Sequence, residues 1–567
     1  LLDIDRFWRM NDLIISIISA AIERARAKGA LKSAPSSITV EQPRDPSHGD
    51  RATNVALVIA RDEKKAPRAI AEIIRANVEL PAEVREVAVA GPGFINFRMA
   101  PAYWQREMRR ATDEGPAFFR PQSWELRAGG GKKIQVEFLS ANPTGPLTVG
   151  HGRNAVLGDT IARMYEAAGF DVTREYYFND GGRQMKLLAE SVRVRYLEEL
   201  GREATLPEDG YQGEYIRDIA RSLVEKRGDA LAAAPDNDVL RKAAVDSIFA
   251  DIRATCERLG IRFTVFTNEL ELIREGRVDA VVAELRKRGL VEERDGAVWL
   301  RGEPLGLPKD VVLIRSGPDR EPTYRTPDIA YHIQKLERGF DLVVDVFGAD
   351  HIAEHESVIA AVKALGHDAS TIRAIIYQFV TLTRGGERVK MSTRRATYVT
   401  LDELIDEVGP DVVRFFFLFR KHDSHLDFDL DLAKRQAPEN PVFYVQYAHA
   451  RLASVFREGE KAGLELPADR SSIDLDLLAD EELELGKRAL GLREVMTESA
   501  RALEPHRVPF YLLELAGDFH RYYNKPANRI IGTDRQLSIA RLYLADLLKC
   551  AIASGLGLLG VSAPERM

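Results

Sequence analysis

Two stretches far apart in the chain hold residues whose types suit phosphate chemistry. In the first, Leu147-Thr148-Val149-Gly150-His151-Gly152-Arg153-Asn154 follows a strand-like run through Glu137 and a loop with Asn142, Pro143, Gly145 and Pro146. A helix opens there, so His151 falls on its first turn, where unpaired N–H groups and the helix dipole already favour an anion. A histidine so placed can donate to a phosphate, and Gly150, lacking a Cβ, lets a flat base approach the backbone. Viewed alone, His151 also reads as a histidine satisfied by a neighbouring backbone group. In the second stretch, Arg384-Gly385-Gly386-Glu387-Arg388-Val389-Lys390-Met391-Ser392-Thr393-Arg394-Arg395 is glycine-rich and basic and follows a strand. Such a loop can close over a triphosphate and place cationic charge where a pentacovalent transition state is most negative. Without a partner it reads as a solvated basic loop.

Two acids suit a different task. A carboxylate can accept two parallel hydrogen bonds from a planar cation. Glu137 stands near the end of its strand, and Asp328 follows Tyr324 in Pro322-Thr323-Tyr324-Arg325-Thr326-Pro327-Asp328-Ile329-Ala330-Tyr331-His332. Asp328 equally suits the N-cap of a helix. Gly348-Ala349-Asp350-His351, after the run Leu342 to Phe347, also reads as a strand-end turn with an N-cap. Gly129-Gly130-Gly131-Lys132-Lys133 resembles a phosphate loop only superficially, because it precedes a strand and lacks the Lys then Ser/Thr ending.

The elements that must position these residues divide the chain. Residues 1–10 receive no assignment. From 11 to 120 a helix with Ile14, Ile17, Ile18, Ala21 and Ala25 at helical spacing, capped by Asp12, precedes strand-like runs Val87 to Val89 and Phe94 to Arg98, an α+β domain. A linker covers 121–132. From 133 to 400 strands alternate with helices: Ile134 to Phe138, a helix after His151, Val172 to Phe178, a helix from about Arg183, Leu342 to Phe347, a helix from about His351, and Ala374 to Leu382. Alternation predicts a parallel sheet with ligands at the carboxyl ends of its strands. A helical insertion over about 190–310 ends in a hairpin-like Val291 to Arg301, a connecting segment spans 401–430, and amphipathic helices such as Pro441 to Phe456 and Glu481 to Leu503 fill 431–567.

Composition sets bounds on partners. At 567 residues the chain needs several cores. A net charge of -7 neither supports nor excludes nucleic acid, which requires only a local basic stripe. Cys256 and Cys550 are the only cysteines, so neither a disulfide framework nor a cysteine zinc site is indicated, and a reducing cytoplasm fits. The apolar run Leu13 to Ile22 is short and followed at once by Glu23, Arg24 and Arg26, which predicts an amphipathic helix and no membrane span.

The block from Val136 to Arg153 resembles the first signature of class I aminoacyl-tRNA synthetases, and within these most resembles the arginyl family. Residues 384–395 resemble the mobile lysine signature, with Lys390 in the first lysine position and Thr393 where many relatives have the second. Thr148 stands where the family usually has its first histidine, and Arg394 or Arg395 is expected to supply the charge that Thr393 lacks. The resemblance implies a multidomain α/β protein: a Rossmann-like parallel-sheet catalytic domain, an α+β N-terminal domain and an all-α C-terminal bundle. It implies catalytic roles for His151, Lys390 and Thr148, ATP binding by Gly150, His151, Asn154, Gly348, Asp350, His351, Lys390, Met391 and Ser392, and arginine binding by Glu137, Asn142, Tyr324 and Asp328. No residue is expected to ligate a metal; Mg²⁺ is expected on the ATP phosphates.

The implied reaction joins L-arginine to tRNA(Arg) through arginyl-adenylate, with AMP and pyrophosphate released, in a monomer that needs bound tRNA even for the first step. Ser47-His48-Gly49-Asp50-Arg51-Ala52-Thr53-Asn54 and Gly91-Pro92-Gly93-Phe94-Ile95-Asn96-Phe97 resemble the part that bacterial-type members place on the tRNA elbow. Residues 440–451 and Tyr522-Tyr523-Asn524-Lys525-Pro526-Ala527-Asn528-Arg529 set aromatics beside basic residues, as suits stacking on unpaired anticodon bases; a core aromatic stripe is the competing reading. Gly560-Val561-Ser562-Ala563-Pro564-Glu565-Arg566-Met567 is similar to the family's C-terminal end. Three rivals remain: a small-molecule nucleotidyltransferase, a catalytically silent tRNA-binding relative, and a class I synthetase for another amino acid.

Overall fold

The computed structural model describes residues 10–43, 45–121, 126, 133–233, 237–317, 320–389 and 399–567. Its contacts gather the chain into two units. One holds the residues up to Gly115 together with Leu464–Leu490 and Ile531–Leu547; the other holds Pro116–Gly463, Gly491–Ile530 and Leu548–Met567.

In the first unit the helix Met10–Ala27 buries Ile14, Ile17, Ile18, Ala21 and Ala25, the stripe its sequence spacing defines. Asp12 lies inside the first turn of this helix. Strands β1 (Val40–Glu41), β2 (Arg51–Thr53), β3 (Val84–Ala90) and β4 (Phe94–Met99) form a sheet in the order β1-β2-β4-β3, antiparallel throughout. The late segments join this unit through specific bonds. Arg109 donates to the Arg470 and Ile473 carbonyls (3.0 and 2.7 Å), and Lys487 pairs with Asp50 at 3.2 Å. Helical periodicity alone groups these segments with the C-terminal bundle, because it reports an apolar face and not the surface that covers it.

The second unit is built on a five-stranded parallel sheet of β5 (Lys133–Glu137), β6 (Asp171–Phe178), β7 (Val265–Asn268), β11 (Leu342–Gly348) and β12 (Ile372–Tyr377), in the order β12-β11-β5-β6-β7. All four pairings are parallel. Central strands buried on both faces need apolar runs, and Ile134, Val136, Val343 and Val344 are fully buried.

Two expectations are corrected here. The helical insertion over 190–310 is interrupted by β7, which is the edge strand of the main sheet; its run is too short for periodicity to reveal, and it is recruited by aromatic packing of Phe266 on Tyr176 (5.5 Å between ring centroids). The single run Ala374 to Leu382 is two strands in different sheets, β12 and β13 (Val380–Arg384). β13 lies between β14 (Glu387–Arg388) and β15 (Leu426–Asp429). The break falls at Gln378, whose N–H goes to the His422 carbonyl and whose own carbonyl is taken by the buried Arg153 guanidinium.

The hairpin of β8 (Val291–Arg294) and β9 (Ala297–Leu300) pairs on to β10 (Val311–Ile314) as a small separate sheet. Only Pro121 and Leu126 of the expected 121–132 linker fall among the described residues. The helix Arg535–Leu559 is long and apolar enough to cross a membrane, but 67% of its most apolar window is buried inside the protein, so those side chains serve packing.

Candidate active site

The central strand β5 ends at Glu137, flanked in register by Asp345 on β11 and Glu175 on β6. Beyond it the chain does something its sequence does not announce. Leu139 and Ser140 both adopt left-handed conformations (φ 67° and 43°), disfavoured for non-glycine residues and tolerated where surroundings over-determine them. Leu139 N–H donates to Asn154 Oδ1 at 2.6 Å; Ser140 Oγ donates to Glu137 Oε1 at 2.9 Å and accepts from Tyr177 N–H at 3.1 Å.

The loop then enters the helix Val149–Ala167, with Thr148 as N-cap. Thr148 Oγ1 accepts from His151 N–H at 3.4 Å, and His151 Nδ1 accepts from Thr148 N–H at 3.2 Å, a reciprocal capping box. Thr148 thus uses its hydroxyl on the helix end, which accounts for a threonine where a second phosphate-binding imidazole was the family expectation. With Nδ1 accepting, the hydrogen of the neutral ring sits on Nε2, and burial lowers the His151 pKa to about 4. His151 is therefore a neutral donor at a helix N-terminus. At Gly150 a Cβ would meet nothing nearer than Thr148 Oγ1 at 3.8 Å, so this position is open to a ligand; at Gly152 and Gly158 it would collide with Leu401 (2.6 Å) and Phe138 (2.2 Å), so those two glycines serve helix packing. Asn154 is buried, and its amide bridges Leu139 and the Val346 carbonyl (2.9 Å). That places it as a brace of the site; a direct ATP contact was the expectation.

Lys390, Met391 and Ser392, with Thr393, Arg394 and Arg395, lie outside the described residues. The residues that follow are tied to the first signature: Thr400 bridges Thr148, and Leu401 N–H donates to the Leu147 carbonyl at 2.8 Å. Thr400 and Leu401 are therefore held beside the helix that carries His151.

Glu137 and Asp328 meet in one cleft. Asp328 is not an N-cap; it lies within the first turn of the helix Arg325–Glu337, with Tyr324, half exposed, at the cap position. Burial, and then the neighbouring carboxylates Glu354, Glu137 and Glu269, push its carboxyl well above the ordinary aspartate range. Among the described residues no donor hydrogen-bonds this carboxylate.

Glu269 sits opposite, receiving the Tyr177 hydroxyl (3.0 Å) and the Asn179 amide (2.6 Å), and burial raises its pKa to about 7. Asn179 also donates its N–H to Asn142 Oδ1 at 3.0 Å, which links Asn142 to the same acidic wall. Glu354 is held by His351 Nδ1 at 3.1 Å, a hydrogen bond that raises the histidine and lowers the glutamate.

Under this cluster lies a buried cation. Lys335 is fully buried, pairs with Glu137 and with Asp345 (2.6 Å), and stands 4.2 Å from the Tyr331 ring centre. Burial opposes its charge, but Asp345 and Glu137 outweigh burial and hold its pKa above the usual lysine value. His332 Nε2 reaches the other Asp345 oxygen at 3.0 Å, and its Nδ1 reaches the Asp328 carbonyl at 2.7 Å. His332, Asp345 and His355 place one donor atom each within 4.8 Å of one another, a grouping with metal-ligand spacing where the sequence suggested none. Both Asp345 oxygens already have partners.

On the nucleotide side, Gly348 closes β11, and a Cβ there would lie 2.5 Å from Asp350 Oδ1. Asp350 and His351 are exposed and 3.6 Å apart, and neither side chain caps the following helix. Tyr377, opposite Gly348 in register, hydrogen-bonds Asn154 and feels the charge of Asp350, which joins this element to the His151 helix. Lys335, Glu269, Glu354 and Tyr377 escaped sequence reading. Only Lys335 left a signal, two helical turns beyond Asp328 on the same face.

In the helical region Arg451 lies 4.7 Å from the Tyr447 ring centre and 5.0 Å from that of Tyr523, with Tyr444 tilted against His520 (4.6 Å between ring centroids). Tyr522 is buried, whereas Phe443, Tyr444, Tyr447 and Tyr523 are half exposed.

Three family models match: the arginyl tRNA synthetase N terminal domain over residues 12–99, the catalytic domain of class I tRNA synthetases (R) over 120–414, and the DALR anticodon binding domain over 445–567. An arginine–tRNA ligase of Desulfotalea psychrophila is 50% identical over 531 residues, 93% of this chain and 94% of its own. One from Salinibacter ruber is 48% identical over 94% of this chain and 96% of its own. In fold the chain matches Thermus thermophilus arginyl-tRNA synthetase with a TM-score of 0.75 at 24% identity, covering 99% of this chain and 100% of the other. It matches the Plasmodium falciparum arginyl-tRNA synthetase with 0.73 at 17%, covering 98% and 99%. Domain content and 50% identity over 93% of the chain agree: this chain belongs to the arginyl-tRNA synthetase family.

Proposed function

We propose that the cleft beyond β5 and β11 binds L-arginine through Glu137, Asn142, Tyr324 and Asp328 and condenses it with ATP, the first step in charging tRNA(Arg). The chain is an arginine–tRNA ligase of class I. One observation carries the assignment of the cleft: four carboxylates, Glu137, Asp328, Glu269 and Glu354, crowd together, and the Asp328 carboxylate is left without a donor. Arginine brings a guanidinium and an α-ammonium to a cleft in which Lys335 pairs with Glu137 while Asp328 and Glu269 have no ion pair among the described residues. A guanidinium offers paired donors that an ammonium does not, and a site of buried acceptors rejects a substrate that cannot satisfy them by roughly 10⁴-fold.

In the reaction the arginine carboxylate attacks the α-phosphorus of ATP. Pyrophosphate leaves, arginyl-adenylate forms, and the terminal ribose of tRNA(Arg) takes the arginyl group, releasing AMP. His151 Nε2–H donates to the phosphate chain and the Lys390 loop adds positive charge; Asp350 and His351 hold the nucleoside side. Mg²⁺ enters on the triphosphate and shields it. Protein groups position and neutralise, and no side-chain nucleophile is required. The half-exposed aromatics around Arg451 present faces for stacking on anticodon bases. Cys256 and Cys550 are not joined in a disulfide, and the reading extends to a cytoplasmic monomer that activates arginine only with tRNA bound.

The test is charging of total tRNA with each of the twenty amino acids, given ATP and Mg²⁺. Arginine alone should be incorporated; incorporation of lysine at a comparable rate refutes the proposed pocket.

A further inference from the structure

The segment between the helices Gly182–Glu199 and Glu214–Arg227 carries Tyr211, the first turn of the second helix carries Tyr215, and both come to the loop at Thr144. Tyr215 donates its hydroxyl to the Thr144 carbonyl at 2.7 Å. Its ring lies so close to Gly145 that a Cβ there would come within 3.0 Å of the hydroxyl and 3.1 Å of Cζ. On the other side the ring folds against Gly213, where a Cβ would come within 2.3 Å. Tyr211 hangs from the preceding helix, its N–H donated to the buried Ser191 Oγ at 2.9 Å. Its phenol lies beside the Thr144 side chain and within electrostatic reach of Tyr324. Both tyrosines therefore meet at one residue, Thr144, which closes a tight turn by donating its N–H to the Asn142 carbonyl at 2.7 Å. Asn142 is the residue whose side chain the Asn179 N–H holds from the sheet side.

We propose that Tyr211 and Tyr215 are positioning residues for arginine: they fix the turn Asn142–Thr144 from outside the sheet and so set where Asn142 meets the substrate, beside Tyr324. The proposal rests on Asn142 and Tyr324 being arginine ligands. It gives Tyr211, in the segment before Glu214, and Tyr215, on the first turn of the helix Glu214–Arg227, a specific task. Removing a hydroxyl that caps Thr144 loosens one wall of the arginine pocket and leaves the His151 helix, with its own capping box, as it was.

The test is steady-state aminoacylation by the full chain at saturating tRNA, with Tyr215→Phe, Tyr211→Phe and Asn142→Ala. Loss of one neutral hydrogen bond should raise the KM for arginine about five-fold in Tyr215→Phe, with kcat, the KM for ATP and Tm unmoved; Tyr211→Phe should act the same way. Asn142→Ala should raise the arginine KM further. If Asn142→Ala raises it and both tyrosine variants leave it within about two-fold of the parent, the positioning role is wrong and the ligand assignment stands. If Asn142→Ala also leaves it unchanged, the assignment beneath the proposal is wrong. A rise in both KM values together with a fall in Tm means the tyrosines merely hold the fold, which also overturns it.

Discussion

Replacing Asp328 by Asn should harm catalysis and help folding, two opposite effects of one lost charge. In the free protein this carboxylate has no hydrogen-bond donor among the described residues and faces Glu137, Glu269 and Glu354, which with burial raise its pKa well above the ordinary value. A carboxyl whose folded pKa exceeds its unfolded pKa binds more protons when folded, so stability falls as pH rises between the two values. Asp328→Asn removes that penalty. The variant should match the parent near pH 4, where Asp328 is protonated in the folded state, and melt at a higher temperature at pH 8. Substrate binding should move the other way. With arginine bound, Asp328 accepts charge-assisted bonds from a desolvated guanidinium, and removing one member of such a pair costs about 2–5 kcal/mol. At about 1.36 kcal/mol per factor of ten, kcat/KM for arginine should fall by roughly 30- to several thousand-fold, while the KM for ATP holds. Arginine-dependent aminoacylation and thermal melts at the two pH values measure both arms. A lower Tm at pH 8, or a loss in kcat/KM below about five-fold, refutes the reasoning.

Glu269, raised to about 7 by burial, must ionise to complement a dicationic substrate, so the KM for arginine should climb as pH drops below 7, by at most about ten-fold per pH unit for one competing proton; a flat profile from pH 5.5 to 8.5 contradicts this, and Glu269→Gln should make the limb shallower. His151→Ala should lower kcat for adenylate formation by about 10²- to 10³-fold, the range for losing one transition-state donor, with the arginine KM nearly constant. Because the ring is neutral with a pKa of about 4, wild-type kcat should show no break between pH 5 and 8 that His151→Ala removes. Lys335→Met removes the buried cation from Asp345 and Glu137 and leaves Asp345 only its His332 contact, so urea unfolding should report about 3–5 kcal/mol of lost stability; adding Asp345→Asn should recover part of it, since the two residues are in contact.

The stretch from Thr148 to Asn154 declared itself because its chemistry is local. A helix N-terminus and a histidine on its first turn depend on neighbouring residues, and covalent geometry sets such spacings whatever the rest of the chain does; the cap by Thr148 was not read from the sequence. The stripe of the helix Met10–Ala27 was legible for the same reason. Asp328 was ambiguous locally, because an acid near a helix start serves as a cap or as a first-turn residue, and only the backbone showed Tyr324 at the cap position.

What tertiary structure alone decided is the electrostatic character of the cleft. Glu137, Glu269, Asp328 and Glu354 come from four separate elements, and they converge because the sheet order β12-β11-β5-β6-β7 sets strands remote in sequence side by side. The left-handed pair Leu139 and Ser140 is likewise imposed by partners, Asn154 and Tyr177, from elsewhere in the chain. Residue types and short spacings belong to the sequence; the pKa of a carboxyl belongs to its surroundings, since Coulomb energy and desolvation depend on distance through space and not along the chain.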